Sequence, residues 1–135
     1  MIEIDGMTPL IQIFNMRRSL AFYRDILGFE VVRDSGGGDD ASWVLLQLDG
    51  CYLMLNDQYE PGRVPDAPPD ERTRWHRDTC IYLGCPDPEA AYEYLLSKGI
   101  DLEPPAIAPY GMKQLYVMDP DGTIFVFSAR RECIR

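Results

Sequence analysis

Apolar and polar positions along the chain alternate between two periods in a fixed order. Residues 8–14, TPLIQIF, are rich in β-branched and aromatic side chains and predict a strand. Asn15 is placed to cap the helix that follows. In MRRSLAFYRDIL the apolar residues at 16, 20, 23 and 27 keep a helical spacing, and Gly28 supplies a left-handed stop. FEVVRD (29–34) predicts a second strand, and SGGGDD (35–40) a mobile hairpin tip. SWVLLQL (42–48) and CYLMLN (51–56) predict two strands joined at Asp49-Gly50, a strong hairpin signal.

Residues 57–77 break this order with four prolines and mixed charges, which predicts a loop or linker. The first pattern then returns. DTCIYLG (78–84) predicts a strand. Asp87, followed by Pro88, predicts the start of a helix over PEAAYEYLLSK that Gly99 ends. IDLEP begins a further strand, interrupted at Pro104 and Pro105. MKQLYVM (112–118) and TIFVFSAR (123–130) predict a hairpin around Asp121-Gly122. Gly28 and Gly99 stand 71 residues apart, Tyr23 and Tyr94 also 71, and Asp49-Gly50 and Asp121-Gly122 stand 72 apart. These offsets describe a duplicated unit of strand, helix and three strands. One such unit cannot bury both its helix face and its sheet face alone, whereas two packed together can.

The chain has 135 residues, which suits one compact domain with a real core. We divide it into module one (7–57), a linker (58–77) and module two (78–130). The formal charge of −9 argues against nucleic acid as a partner, because phosphate repels such a surface. The densest basic run, RTRWHR (72–77), follows the acidic PDAPPDE and is offset by it. With no run of 18 apolar residues, no membrane partner is expected. The first ten residues do not read as a secretory signal, so the cytoplasm is the expected compartment. Cys51, Cys80, Cys85 and Cys133 form no CxxC pair and are expected as reduced thiols, Cys80 as a small buried hydrophobe. His76, the one histidine, falls in the linker and is expected to be solvated. SGGGDD lacks the Lys-Ser/Thr of a phosphate loop, and Asp39 and Asp40 would repel phosphate.

SLAFYRDILGFEVV and DPDGTIFVF resemble the vicinal oxygen chelate superfamily of glyoxalase I, extradiol dioxygenases, fosfomycin resistance enzymes and bleomycin resistance proteins. The resemblance covers residues 7–130. It implies an α+β fold of two tandem βαβββ modules, an open and curled eight-stranded half-barrel arrangement around a cavity, commonly in a homodimer. Family enzymes hold a divalent metal with His and Glu from the first and last strands of each module. Carried over one by one, those positions fall on Thr8, Met54, Cys80 and Val126. A hard divalent ion needs carboxylate oxygens or imidazole nitrogen. Neither Thr nor Val supplies them, and Cys with Met would suit only a soft metal. Neighbouring residues do not repair the set. The pattern is closest to the bleomycin-resistance type, which binds a ligand without converting it. No metal, no other cofactor and no catalytic residue are expected.

Strand residues alternate faces, so the neighbours two away from those positions share their side. The expected ligand-binding residues are Gln12, Tyr52, Met54, Asn56, Cys80, Tyr82, Tyr110 and Val126. Leu10, Ile124 and Ser128 fall on the same sides. The expected ligand is a small, partly aromatic or cationic molecule. Trp75 and Tyr110 are read on loops, where they either stack on a ligand or staple a loop. Two competing readings stand beside this one. The first is a metal-dependent lyase, isomerase or dioxygenase using other ligands. The second is an interaction module whose cavity is filled by its own side chains.

Overall fold

The structure is a computed structural model and describes residues 1–57, 59, 63 and 65–129. Cys133 and Arg130, expected as a thiol and as the end of the last strand, lie outside the described residues. The chain divides into two compact units, Met1–Pro68 and Pro69–Arg135. Among the described residues no helix is long and apolar enough to cross a membrane.

The first unit runs β1 (Leu10–Ile13), α1 (Met16–Tyr23), β2 (Glu30–Asp34), a 3-10 turn (Gly38–Asp40), β3 (Trp43–Leu48) and β4 (Cys51–Asp57). The Arg18 amide donates to Asn15 Oδ1 at 3.0 Å, so Asn15 caps α1 as expected. The sheet order is β1-β4-β3-β2, with β1 parallel to β4 and the other pairs antiparallel. Asp49 and Gly50 both adopt positive φ, 47° and 80°, and close β3 onto β4 in a two-residue turn. One face of the sheet is buried. Ile13, Leu46 and Leu55 are fully enclosed, as is Tyr23 on α1. Each such aliphatic side chain contributes on the order of 1.5–3 kcal/mol by leaving water.

The segment expected to be a mobile tip is tethered to α1. Arg17 Nε donates to Asp40 Oδ1 at 2.7 Å, and Arg24 Nη1 donates to Asp39 Oδ1 at 2.8 Å. These hydrogen bonds hold both carboxyls below their ordinary range. The pairs are largely exposed, so they fix geometry more than they add stability.

The second unit runs α2 (Glu71–His76), β5 (Cys80–Gly84), α3 (Pro88–Ser97), β6 (Ala106–Ile107), β7 (Lys113–Met118) and β8 (Ile124–Ser128). Its order, β5-β8-β7-β6, repeats the first, again with the first and last strands parallel. Asp87 caps α3 through the Ala90 amide at 3.1 Å. Together the units hold eight strands in two four-stranded sheets, an α+β architecture.

Three details depart from the sequence reading. Tyr94 does not repeat Tyr23. Tyr23 lies eight residues after its cap and is buried, whereas Tyr94 lies seven after its cap and is exposed. One residue is about 100° around a helix. Leu95, eight after the cap and 2% exposed, occupies the inward position instead. The strand expected from residue 100 is also absent. Only Ala106 and Ile107 pair with β7, because Pro104 and Pro105 have no N–H to give the ladder.

The third departure is α2, which forms inside the expected linker. Its Arg72 Nε donates to Asp121 Oδ1 at 2.9 Å, and both side chains are buried. Asp121 sits in the turn between β7 and β8. There Asp119 Oδ1 accepts from the Asp121 and Thr123 amides at 2.9 and 2.8 Å. Gly122 has φ +92°, and a Cβ there would lie 2.8 Å from Thr73 Cα. The turn is thus shaped to receive the helix. Asp121→Ala, which strands the buried guanidinium, should lower unfolding stability by about 3–5 kcal/mol in urea titrations. The double variant Arg72→Met/Asp121→Leu should lose clearly less.

Candidate functional site

Register decides which side chains can meet. In the first sheet Leu10 lies opposite Met54 and Gln12 opposite Asn56, with Leu45 and Trp43 continuing those rows onto β3. Tyr52 is two residues along on the same side. The expected residues Gln12, Tyr52, Met54 and Asn56 therefore share the face turned away from the buried leucines. It is a solvated face, since Gln12 and Tyr52 are exposed and Met54 and Asn56 half-buried. Asn56 Nδ2 donates to Gln12 Oε1 at 3.2 Å, which joins the two amides across the strands.

In the second sheet Cys80 pairs with Ile124 and Tyr82 with Val126, and β7 adds Tyr116 beside Val126 and Gln114 beside Ser128. Cys80, Tyr82 and Val126 therefore share one face, and this face of β5, β7 and β8 carries no charged side chain. Val126 lies between two tyrosines and is fully buried, so the position itself presents no surface to a ligand. Cys80, expected to be buried, is exposed at the start of β5.

Tyr110, on the turn between β6 and β7, folds back over this face. Gln114 Nε2 donates to the Tyr110 hydroxyl at 2.7 Å, and the Tyr116 hydroxyl reaches Gln114 Oε1 at 3.5 Å. Tyr82 and Tyr116 stand on either side of Val126, and the Tyr82 phenol lies within electrostatic reach of those of Tyr110 and Tyr116. The Tyr110 hydrogen bond, then desolvation, pushes the Tyr82 phenol up to about 12. Gln114 is 3% exposed, whereas Tyr82, Tyr110 and Tyr116 are 55%, 62% and 53% exposed. Rigid amide and open phenols together make a polar cluster on an apolar face, the composition of a small-molecule site. Neither Gln114 nor Tyr116 was among the expected site residues. Strand alternation carried through β7, with Tyr116 in register with Val126, leads to both.

The positions implied for a metal carry a hydroxyl, a thioether, a thiol and an isopropyl group. Thr8 is exposed ahead of β1. Among the described residues no group of three or more His, Cys, Asp and Glu side chains is placed to hold a metal ion. This donor set does not fit a hard divalent ion. His76 ends α2 rather than lying on a solvated loop. Its Nδ1 is 2.8 Å from the Arg72 carbonyl oxygen, so Nδ1 carries the proton and donates. Trp75, expected on a loop, is an exposed residue of the same helix.

Two outcomes check this geometry. Val126→Glu should destabilise the fold by roughly 2–4 kcal/mol in denaturant, because an unpaired carboxylate at a dry position is costly. In an alkaline titration followed by tyrosinate absorbance, one tyrosine should ionise near pH 12 and fall back toward 10 in Tyr110→Phe. The sign follows from the raised value. The folded state favours the neutral phenol, so this stabilisation is complete below pH 10 and is lost as pH rises through about 12.

The wider comparisons agree with the architecture. No curated protein matches the sequence significantly. A bleomycin resistance determinant encoded on the transposon Tn5 is 26% identical, with TM-score 0.67 over 95% of this chain and 99% of that one. A bleomycin-binding protein solved in complex with bleomycin is also 26% identical, with TM-score 0.66 over 95% and 100% of the two chains. TioX from Micromonospora sp. ML1 shares the fold at 17% identity, with TM-score 0.71 over 93% and 98%. A family model matches residues 7–127, nearly the whole duplicated unit, and the chain therefore belongs to the Glyoxalase/Bleomycin resistance protein/Dioxygenase superfamily.

Proposed function

We propose that this protein binds or sequesters a small, partly aromatic or cationic molecule without a metal and without converting it. The observation that carries this reading is the uncharged face of the second sheet. There Cys80 and the buried Val126 stand at the positions the resemblance implies for metal ligands, and Tyr82, Tyr110 and Tyr116 lie open on the same face. Such a face offers stacking area and hydroxyl groups but no carboxylate or imidazole to hold a hard metal ion or to act as a general base. Gln12, Tyr52, Met54 and Asn56 supply a second surface of the same kind on the first sheet. The likeness at 26% identity to a bleomycin resistance determinant and a bleomycin-binding protein supports binding over turnover. We propose a cytoplasmic protein and, following the resemblance, a homodimer.

The test is thermal unfolding of the purified protein with bleomycin and with a panel of aromatic amines. Only a ligand that prefers the folded state raises Tm. At 100 times its Kd, a binder adds about 2.7 kcal/mol, a rise on the order of 10 °C for a domain this size. Elemental analysis should show far less than one metal per chain, and chelation should leave Tm unchanged. Stoichiometric nickel, zinc, iron or manganese, removed together with an activity, would overturn the proposal.

A further inference from the structure

Strand β7 leaves part of its backbone hydrogen-bonding capacity unused. Along an antiparallel strand, successive residues turn their N–H and C=O first toward one neighbour and then toward the other. The Ala129 amide donates to the Lys113 carbonyl at 2.9 Å, and the Asp119 amide donates to the Thr123 carbonyl at 2.9 Å. With the β7–β8 register, these bonds assign Lys113, Leu115 and Val117 to β8. Gln114, Tyr116 and Met118 turn the other way, toward β6. Strand β6 meets only the first of them, with Ala106 opposite Gln114. Continuing that register would set Pro104 opposite Tyr116 and Leu102 opposite Met118. Pro104 has no N–H to give the Tyr116 carbonyl, and among the described residues no backbone hydrogen bond joins 101–105 to β7. Tyr116 and Met118 therefore each keep a free donor and a free acceptor on one edge, about 7 Å apart along the strand.

The same edge borders a cleft. Its volume is about 180 Å³, and it is lined by Asp101, Leu102, Tyr116, Val117, Met118 and Ile124. It opens where the chain at 101–102 stays apart from β7, and Ile124 of β8 joins it in register with Met118. At about 30 Å³ per water, the cleft holds the volume of roughly six waters, room for a branched aliphatic side chain. Asp101 is the one charged residue among those that line it.

We propose that the open edge of β7 at Tyr116 and Met118, with the adjoining cleft, is a recognition slot for a secondary amide. Its ligand is a small peptide-like molecule in extended form. The ligand's N–H donates to the Tyr116 carbonyl, its C=O accepts from the Tyr116 amide, and its apolar side group enters the cleft. Such a molecule supplies the strand partner that Pro104 cannot. Asp101 and the chain's formal charge of −9 disfavour an acidic group there. The inference rests on the small-molecule binding reading above and names the ligand chemistry for one part of that surface.

Three neutral probes separate the contributions: N-acetylleucine N-methylamide, its analogue methylated on the leucine nitrogen, and N-acetylglycine N-methylamide. Binding is followed by NMR through the backbone amides of β7. In the free protein, hydrogen exchange should alternate along the strand, fast at Tyr116 and Met118 and slow at Leu115 and Val117. The leucine probe should shift the Tyr116 and Met118 signals saturably and slow exchange at Tyr116. The N-methylated analogue, which has lost the N–H for the Tyr116 carbonyl, should bind about tenfold more weakly. The glycine probe, which leaves the cleft empty, should also bind about tenfold more weakly. Pro104→Val restores an N–H opposite Tyr116, so β6 can extend and compete. It should protect the Tyr116 amide and weaken the leucine probe about tenfold. Pro104 is exposed, so the variant is expected to fold, and Tm is measured alongside. Equal binding of the N-methylated analogue would overturn the inference. So would exchange at Tyr116 as slow as at Leu115 in the free protein, the result expected if a second copy of the chain already covers this edge. Unchanged affinity in Pro104→Val with the Tyr116 amide protected would do the same. If bleomycin raises Tm while the leucine probe does not bind, the inference falls and the binding function stands. If no compound binds, both fall.

Discussion

The parallel pairing of the first and last strand in each module is the constraint on which the rest of the structure depends. It brings residues 44 positions apart into one row, Leu10 beside Met54 and Tyr82 beside Val126. A hairpin aligns only residues that are close in sequence. A parallel pair requires the chain to cross over and return. Here the crossover is one helix and two strands. A slip of one residue in either pairing would turn the whole apolar set to the wrong face. The duplicated caps, Asn15 and Asp87, hold the register by fixing where each helix begins relative to its strand.

On this shared frame the two modules carry different chemistry. Counted from the caps, Leu10 and Tyr82 are equivalent, and so are Met54 and Val126. The first sheet surrounds its position with leucines and a pair of amides joined across the strands. The second surrounds it with tyrosines whose hydroxyls are linked through a buried glutamine. Side chains that face away from the core in a four-stranded sheet are free to vary, because the opposite face supplies the burial. The frame is thus common to a superfamily of many activities, and the binding function proposed above is assigned to these rows.

The second unit is held from outside its sheet as well. The acidic turn at residues 119–123 has one carboxylate, Asp119, accepting from its own backbone, and another, Asp121, buried against Arg72. Neither is available for chemistry on a ligand. An acidic turn ahead of a charge-free strand is here a device for seating a helix. The arginine and the glycine contact at Thr73 explain why six residues of a proline-rich segment become helical.

The βαβββ order of each module, the duplication and the caps were all legible in the sequence. They depend on local periodicity and on residue type, which a chain carries with it. The helix at Glu71–His76 was not legible, because its stability comes from a buried partner, Asp121, 49 residues away. Nor was the exposure of Tyr94, since a one-residue difference in cap spacing looks trivial in sequence and turns a side chain by about 100°. Strand alternation put Tyr82 on the face it shares with Cys80 and Val126, but only the β7–β8 register joined it to Tyr116 and Gln114. Periodicity assigns a side chain to a face. Which hydroxyl meets which amide on that face is set by pairing between distant segments, and the tertiary structure alone decided it.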